Sequence, residues 1–115
     1  MSYMLLIVEP HGQRRARSMD EGQGLYQRMV DYGDSLQKKG LLLATNSLKE
    51  PAVRLRVRDG KASVLDGPFT EAKEFVGGFY LLSCGTRDEA LALAGHCPAA
   101  EWATIEVREI GPCYE

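Results

Sequence analysis

The chain lacks the features that mark membrane-spanning, secreted and metal-binding proteins. Its 115 residues include three cysteines, Cys84, Cys97 and Cys113, with no pair at redox-motif or zinc-ligand spacing. The longest apolar run near the N-terminus, over residues 4–8, is far shorter than the ~20 residues that a membrane helix needs. It has no basic segment or cleavage site of the kind found in signal peptides. We therefore expect a cytoplasmic chain with free thiols, no structural metal and no membrane partner.

A strong excess of one charge is also missing. The formal net charge is −2, charged residues make up 26% of the chain and apolar residues 44%. Such a balance gives no general attraction to nucleic acid, and the apolar content is that of an ordinary folded protein. No glycine-rich phosphate loop follows a strand, since Gly22 and Gly24 lie inside a helical pattern, so we expect no cofactor. The length corresponds to one domain, over residues 1–115.

The spacing of the apolar residues predicts six strands and two helices. Ser18 and Thr86 each stand three positions before a glutamate, which is the capping box that begins a helix. Asp59-Gly60 is the preferred pair for a two-residue hairpin turn. The predicted elements are a strand over 3–8, a helix over 18–39, a strand over 41–47, a hairpin with strands over 53–58 and 61–66, a strand over 77–84, a helix over 86–95 and a strand over 104–110.

This order predicts an α+β fold. Two β-α-β halves with short helices are typical of a ferredoxin-like two-layer sandwich, to which the β-hairpin is an addition. In such a sandwich the helices cover one face of the sheet, yet the strands over 3–8 and 79–82 are apolar on both faces. Because large exposed apolar patches are rare on monomers, we expect a homodimer in which a second copy covers the open face. The alternative is that the hairpin of the same chain folds back over that face.

The segment Asp-Gly-Pro-Phe-Thr-Glu-Ala-Lys-Glu over residues 66–74 is the most distinctive in the chain. The hairpin register pairs Val53 with Asp66 and puts this carboxylate on the hairpin's apolar face, on the inward side. Pro68 lacks the N–H that an Asx turn would use, although Asp66 could still accept from Phe69 or Thr70. A buried carboxylate is costly unless it is satisfied, so Asp66 either fixes the loop or belongs to a site.

The charges that follow Asp66 have two interpretations. They form either an exposed charged turn, as most such runs do, or an acid/base group in a cleft in which a lysine holds an anion. Under the second interpretation the catalytic residues are Asp66, Glu71 and Lys73. The binding residues are then Gly67, Pro68, Phe69, Glu74 and Tyr80.

Four other features carry weaker signals. His11 follows the first strand, a common place for site residues, although a lone loop histidine is usually just exposed. His96 and Cys97 are adjacent near a helix end and so rarely face each other. Trp102 is typical of a core or interface anchor. The basic ridge of the hairpin has no interleaved aromatic residues, so we expect no direct nucleic-acid partner; its members are Arg54, Arg56 and Arg58.

The motifs resemble the DGPF branch of the YCII-related family. The resemblance rests on Arg-Val-Arg-Asp-Gly over 56–60, the 66–74 segment, Gly-Gly-Phe-Tyr over 77–80 and the opening Tyr-Met-Leu-Leu-Ile over 3–7. It implies a dimeric ferredoxin-like fold of the dimeric α+β barrel type. Some members of the wider family are dehydrochlorinases of chlorinated aromatic diols, and the fold is similar to that of muconolactone isomerase. The family's proposed His/Asp pair is not matched, because the first helix here contains no histidine.

Two functions follow from these observations. The first is a lyase- or isomerase-like protein that binds or transforms a small polar or aromatic acid in a cleft lined by the Asp-Gly-Pro-Phe motif. The second is a non-enzymatic regulatory or interaction module, since DGPF-type proteins are associated with extracytoplasmic-function sigma factors.

Overall fold

Six strands, two α-helices and one 3-10 helix make up the described part of the protein. The structure, a computed structural model, describes residues 1–69 and 71–114. The predicted order of strands and helices is confirmed, whereas the 3-10 helix was not predicted. The elements are β1 (Ser2–Pro10), α1 (Met19–Lys38), β2 (Leu42–Ser47), β3 (Val53–Arg58), β4 (Lys61–Asp66), β5 (Glu74–Ser83), α2 (Arg87–Gly95), the 3-10 helix (Pro98–Glu101) and β6 (Thr104–Glu109).

Both helices begin at the predicted capping residues. The Ser18 hydroxyl accepts the backbone N–H of Glu21 at 3.1 Å, and the Thr86 hydroxyl accepts that of Glu89 at 3.1 Å. Each cap satisfies one of the free N–H groups of a helix's first turn. Within residues 1–69 and 71–114, no helix combines the length and apolarity needed to cross a bilayer.

Four strands form one antiparallel sheet in the order β2-β5-β1-β6. β1 and β2 therefore run parallel to each other with α1 between them in the chain, and α2 joins β5 to β6 in the same way. The core brings residues of β1 and β5 together with residues of both helices, so that the helices lie on one face of the sheet. This is the ferredoxin-like α+β sandwich.

The side chains on the two faces of the sheet are buried to different extents. On the helix side, alternate residues of β1 are buried: Tyr3, Leu5 and Ile7. The other parity of β1, with its partners on β5, forms the open face, whose apolar side chains are only half-buried. They are Met4, Leu6, Val8, Phe79 and Leu81.

The hairpin projects from this body. β3 and β4 pair only with each other, and all six residues of each strand are exposed. The radius of gyration is 16.1 Å, against about 13 Å expected for a compact chain of this length. The hairpin therefore does not fold back over the open face, and that alternative is wrong. Cover by a second copy stays a prediction.

Candidate functional site

The Asp-Gly-Pro-Phe segment forms a tightly held loop at the base of the hairpin. The Gly67–Pro68 peptide bond is cis, and the N–H of Gly67 donates to the Ala52 carbonyl at 3.0 Å. The Phe69 ring is buried, and the Arg54 guanidinium lies 3.8 Å from its centroid. These contacts join the loop to Arg54 of β3 and to Ala52, the residue before β3. Packing therefore accounts for the uncharged residues of the motif.

The charged residues of the segment face solvent. Asp66 pairs with Val53 as the register predicts, but this face of the hairpin is exposed in the single chain and not inward. Glu71 accepts from Arg54 at 3.1 Å, an exposed ion pair of small energetic worth. Lys73 and Glu74 are exposed as well. Thr70, one of the donors expected for Asp66, lies outside the described residues, and the catalytic roles proposed for 66, 71 and 73 stay predictions.

A cavity of about 320 Å³ lies between α1 and the half of the sheet formed by β2 and β5. Its volume is at the lower end of the ~300–1,000 Å³ typical of small-molecule sites. On the helix side its lining residues recur every three or four positions from Gly22 to Gln37, which spans about 22 Å at ~1.5 Å per residue. The cavity is therefore a long and narrow slot along one face of α1. The apolar side chains that line it are Ile7, Leu25, Tyr26, Met29, Val30, Leu42, Tyr80 and Trp102.

Of the predicted binding residues that the structure describes, Tyr80 alone lines this cavity. Its hydroxyl donates to the Met29 carbonyl at 2.7 Å, and burial raises the pKa of Tyr80 well above its usual value of 10.0. The ring approaches α1 closely because Gly33 faces it: a Cβ at Gly33 would lie 3.4 Å from the Tyr80 ring. Tyr80 thus forms part of the cavity wall, and its hydroxyl is hydrogen-bonded to the backbone of α1.

A buried carboxylate, Glu9, lies in the same cavity wall. β1 continues its alternation through this residue, which is 5% exposed on the helix side of the sheet. Arg14 holds it through two hydrogen bonds, from Nε to Oε1 at 3.0 Å and from Nη2 to Oε2 at 2.6 Å. Arg14 also donates to the carbonyls of Leu48 and Gly77, at 2.8 and 3.2 Å. Arg14 therefore fixes Glu9 in place and has little capacity left for a ligand.

The Glu9–Arg14 pair occupies the space above Gly77. Ile7 pairs with Gly78 and Val8 with Val76, so Gly77 is the extra residue of a β-bulge. A Cβ at Gly77 would lie 1.5 Å from Glu9 Oε2, which no side chain permits. β5 begins at Glu74, three residues before the predicted start, because its pairing with β1 continues past the bulge to Pro10 and Glu74.

Arg17 places a second cation in the cavity wall. Its guanidinium carbon lies 5.8 Å from the centroid of the Trp102 ring, and that of Arg28 lies 5.4 Å away. The backbone of Trp102 is held by Gln13, whose Nε2 donates to its carbonyl at 2.8 Å. Within the described part of the chain, Arg17 forms no ion pair. An anionic ligand would therefore find a cation next to an aromatic ring.

His11 has a partner that the sequence did not indicate. Its Nδ1 lies 2.9 Å from Glu50 Oε2, and its ring stacks on Phe75 with centroids 5.0 Å apart. The hydrogen bond from His11 lowers the pKa of Glu50 below its usual 4.5. The pair connects the loop after β1 to the segment before the hairpin and does not line the cavity.

Sequence reasoning missed Glu9 and the roles of two arginines. The predicted first strand ends at residue 8, although Glu9 continues the parity of Tyr3, Leu5 and Ile7. That parity is the signal that could have found it. The loop containing Arg14 and Arg17 carried no such signal. Arg17 acts on Trp102, which is distant in the chain, and the contact of Arg14 with nearby Glu9 forms over a strand that is also distant.

The site combines an apolar slot, a fixed carboxylate and an available guanidinium. Such a set can bind an organic anion and accept or return a proton next to it. Among residues 1–69 and 71–114, no group of three or more His, Cys, Asp or Glu side chains is placed to hold a metal ion.

Two comparisons with known proteins bear on the family of the chain. The family model of the YCII-related domain matches residues 1–113. An uncharacterised protein of Rhizobium meliloti (strain 1021) is 51% identical over 61 residues, which cover 51% of this chain. The matched stretch spans 49% of that relative, about half its length. Since the family model covers nearly every residue, this chain belongs to the YCII-related family.

Proposed function

We propose that this protein binds a small aromatic acid in the slot between α1 and the sheet and acts on it as a lyase or isomerase. The observation that carries the proposal is the buried carboxylate of Glu9 in the wall of an apolar cavity. Burying a charge is costly, so an apolar residue at this position would make the fold more stable if the carboxylate had no function. The cleft proposed from the sequence is thereby moved from the Asp-Gly-Pro-Phe loop to the helix–sheet cavity.

The charges of the cavity wall favour an anionic ligand at one end. Glu9 and Arg14 neutralise each other, which leaves Arg17 to receive a carboxylate. The remaining charged residue of the wall, Asp34, lies about 18 Å along α1 from Gly22, at ~1.5 Å per residue. An acid would therefore place its carboxylate at the Arg17 end and its ring between the apolar side chains.

Ligand binding is testable through Trp102, because it is the single tryptophan of the chain and lines the cavity. We expect 2-naphthoate to change Trp102 fluorescence saturably. Arg17→Gln should weaken binding by about tenfold or more, since a hydrogen bond to a charged group contributes ~1.5–3 kcal/mol. Arg15→Gln is the matched control, because Arg15 is exposed and outside the cavity. No saturation with wild type, or equal losses in both variants, would contradict the proposal.

Proton transfer is testable with an aryl 2-oxo acid. In D2O, we expect wild type to speed deuterium incorporation at the acidic C–H of phenylpyruvate above the buffer rate. Glu9→Gln should remove most of this gain, since a positioned base contributes ~10²–10⁴-fold. Asp66→Asn should leave it unchanged, because Asp66 lies outside the cavity. If Asp66→Asn removed the gain and Glu9→Gln did not, the chemistry would belong to the motif loop.

A second candidate function is the interaction module. Its support is the hairpin, which exposes five large apolar side chains between 55% and 66%: Val53, Leu55, Val57, Val64 and Leu65. We propose an extracytoplasmic-function sigma factor as the partner under this alternative. Titration of such a purified sigma factor with wild type and with Leu55→Asp tests it, and equal binding by both proteins would exclude the hairpin as the docking surface.

A further inference from the structure

Helix α1 contains three glycines, each of which weakens a helix relative to alanine. Gly33 is explained by the Tyr80 ring, which would lie 3.4 Å from a Cβ there. Gly24 is exposed and outside the cavity, and nothing in the structure explains it. Gly22 lines the cavity, as Gly33 does, but a Cβ there would meet no atom within 4 Å, as at Gly24. The missing side chain of Gly22 therefore corresponds to empty space in the slot.

The empty space at Gly22 lies at one end of the slot. It is the first residue of the lining stripe of α1, five residues after Arg17, so it lies at the end where the ligand's carboxylate is expected. The slot is narrow, since about 320 Å³ extends along about 22 Å of helix at ~1.5 Å per residue. A large side chain at this position would reduce the width available to a ring near Arg17.

We infer that Gly22 sets the upper size of the ligand, and that the slot accepts acids with more than one ring or with a bulky ring substituent. This inference rests on the proposed function, because it concerns the same slot and the same acid. A flat bicyclic acid fits the length and narrowness of the slot, and glycine is the residue that leaves room for it.

The experiment compares two acids on four proteins. 2-Naphthoate and benzoate are titrated against wild type, Gly22→Leu, Gly22→Ala and Gly24→Leu, with Trp102 fluorescence as the readout. We expect Gly22→Leu to bind 2-naphthoate about tenfold more weakly or worse, the scale on which one misplaced methylene group counts in an apolar pocket. Binding of benzoate should change little, and Gly24→Leu should bind both acids as wild type does. Gly22→Ala should give an intermediate loss for 2-naphthoate.

Thermal melting separates these outcomes from misfolding. Both leucine variants should melt at or above the wild-type temperature, because leucine favours a helix more than glycine does. If wild type binds neither acid, the proposed function fails. If wild type binds both acids and Gly22→Leu still binds 2-naphthoate as tightly, or loses both acids equally, the size limit at Gly22 is wrong while the proposed function stands.

Discussion

At the scale of single residues, the site depends on Gly77. Because this residue has no Cβ, the side chains of Glu9 and Arg14 can lie directly over its backbone. Glu9 and Arg14 are near each other in the chain, but their bidentate geometry requires the bulged backbone of Gly77, which also accepts from Arg14 at 3.2 Å. A buried ion pair contributes little by itself, yet separating its partners is costly because a charge is then left alone in the interior. Gly77 is therefore the residue at which the pair is most sensitive to substitution.

Gly77→Ala should lower the free energy of unfolding by about 3 kcal/mol, the scale of a broken buried ion pair. The added Cβ would lie 1.5 Å from Glu9 Oε2 and 2.6 Å from Arg14 Nη2, so the pair must separate or the bulge must shift. Chemical denaturation measures the loss. Gly24→Ala is the control, which should gain up to ~1 kcal/mol because alanine favours the helix. A Gly77→Ala protein as stable as wild type would contradict the geometry described for Glu9.

The His11–Glu50 pair predicts a carboxyl titration that depends on a histidine. Its hydrogen bond lowers the pKa of Glu50 in the folded state, so the stabilisation is present above the unfolded value near 4.5 and is lost as the pH falls through the folded value. His11→Phe keeps a ring against Phe75 but removes Nδ1. We expect the pKa of Glu50 to rise in this variant, as measured by NMR titration of its side-chain carboxyl. An unchanged pKa would show that the hydrogen bond is not its cause.

At the scale of elements, local signals account for where the helices begin and where the hairpin turns. The caps at Ser18 and Thr86 and the turn at Asp59-Gly60 all act within a few residues. Some apolar residues of α1 do not pack into the core, since Tyr26 and Val30 are 58% and 36% exposed. They line the cavity instead of packing into the core, because the helix stands away from the sheet there.

Thr86→Ala should lower the free energy of unfolding by about 1 kcal/mol, the usual cost of losing an N-cap. The hydroxyl of Thr86 accepts the N–H of Glu89 at 3.1 Å, and α2 has nine residues. Thr86→Ser keeps the acceptor and should recover most of the loss in the same denaturation experiment. Equal losses in the two variants would mean that the methyl group, not the cap, stabilises this end of α2.

At the scale of the whole molecule, two apolar surfaces are not covered by any of residues 1–69 and 71–114. One is the half-buried open face of the sheet, and the other is the exposed hairpin face. An isolated two-stranded hairpin is marginally stable in water, which favours a partner for this one. It carries four basic and two acidic residues in a chain of net charge −2, which favours contact with the body of another copy over contact between two hairpins.

We therefore propose a homodimer and expect light scattering to give about twice the mass of the 12.7 kDa chain at micromolar concentration. Disulfide trapping in a Cys113→Ser background identifies the surfaces. Leu6→Cys alone should cross-link if the two open faces stack on each other. A mixture of Leu6→Cys and Leu55→Cys should cross-link if the hairpin of one copy lies on the sheet of the other. A monomer by scattering would contradict the proposal.

The sequence by itself determined the strands, the two α-helices and their order, because strand alternation, helical spacing, caps and turns depend on residues close together in the chain. It also determined the α+β sandwich, since two β-α-β units with short helices have few ways to bury their apolar faces. The hairpin register was predictable for the same reason: one two-residue turn sets every pair from Arg58–Lys61 to Val53–Asp66.

Only the tertiary structure decided where a site can be. The sequence pointed to residues 66–74, where charge is dense, but dense charge is as typical of an exposed turn as of a site, and these side chains are exposed. The cavity instead joins Glu9, Arg17 and Trp102 from distant parts of the chain. The alternation of β1 indicates that Glu9 is buried, but its bidentate pairing with Arg14 and the space over Gly77 arise from contacts across the sheet. No local pattern encodes such contacts, because each exists only once the strands have paired.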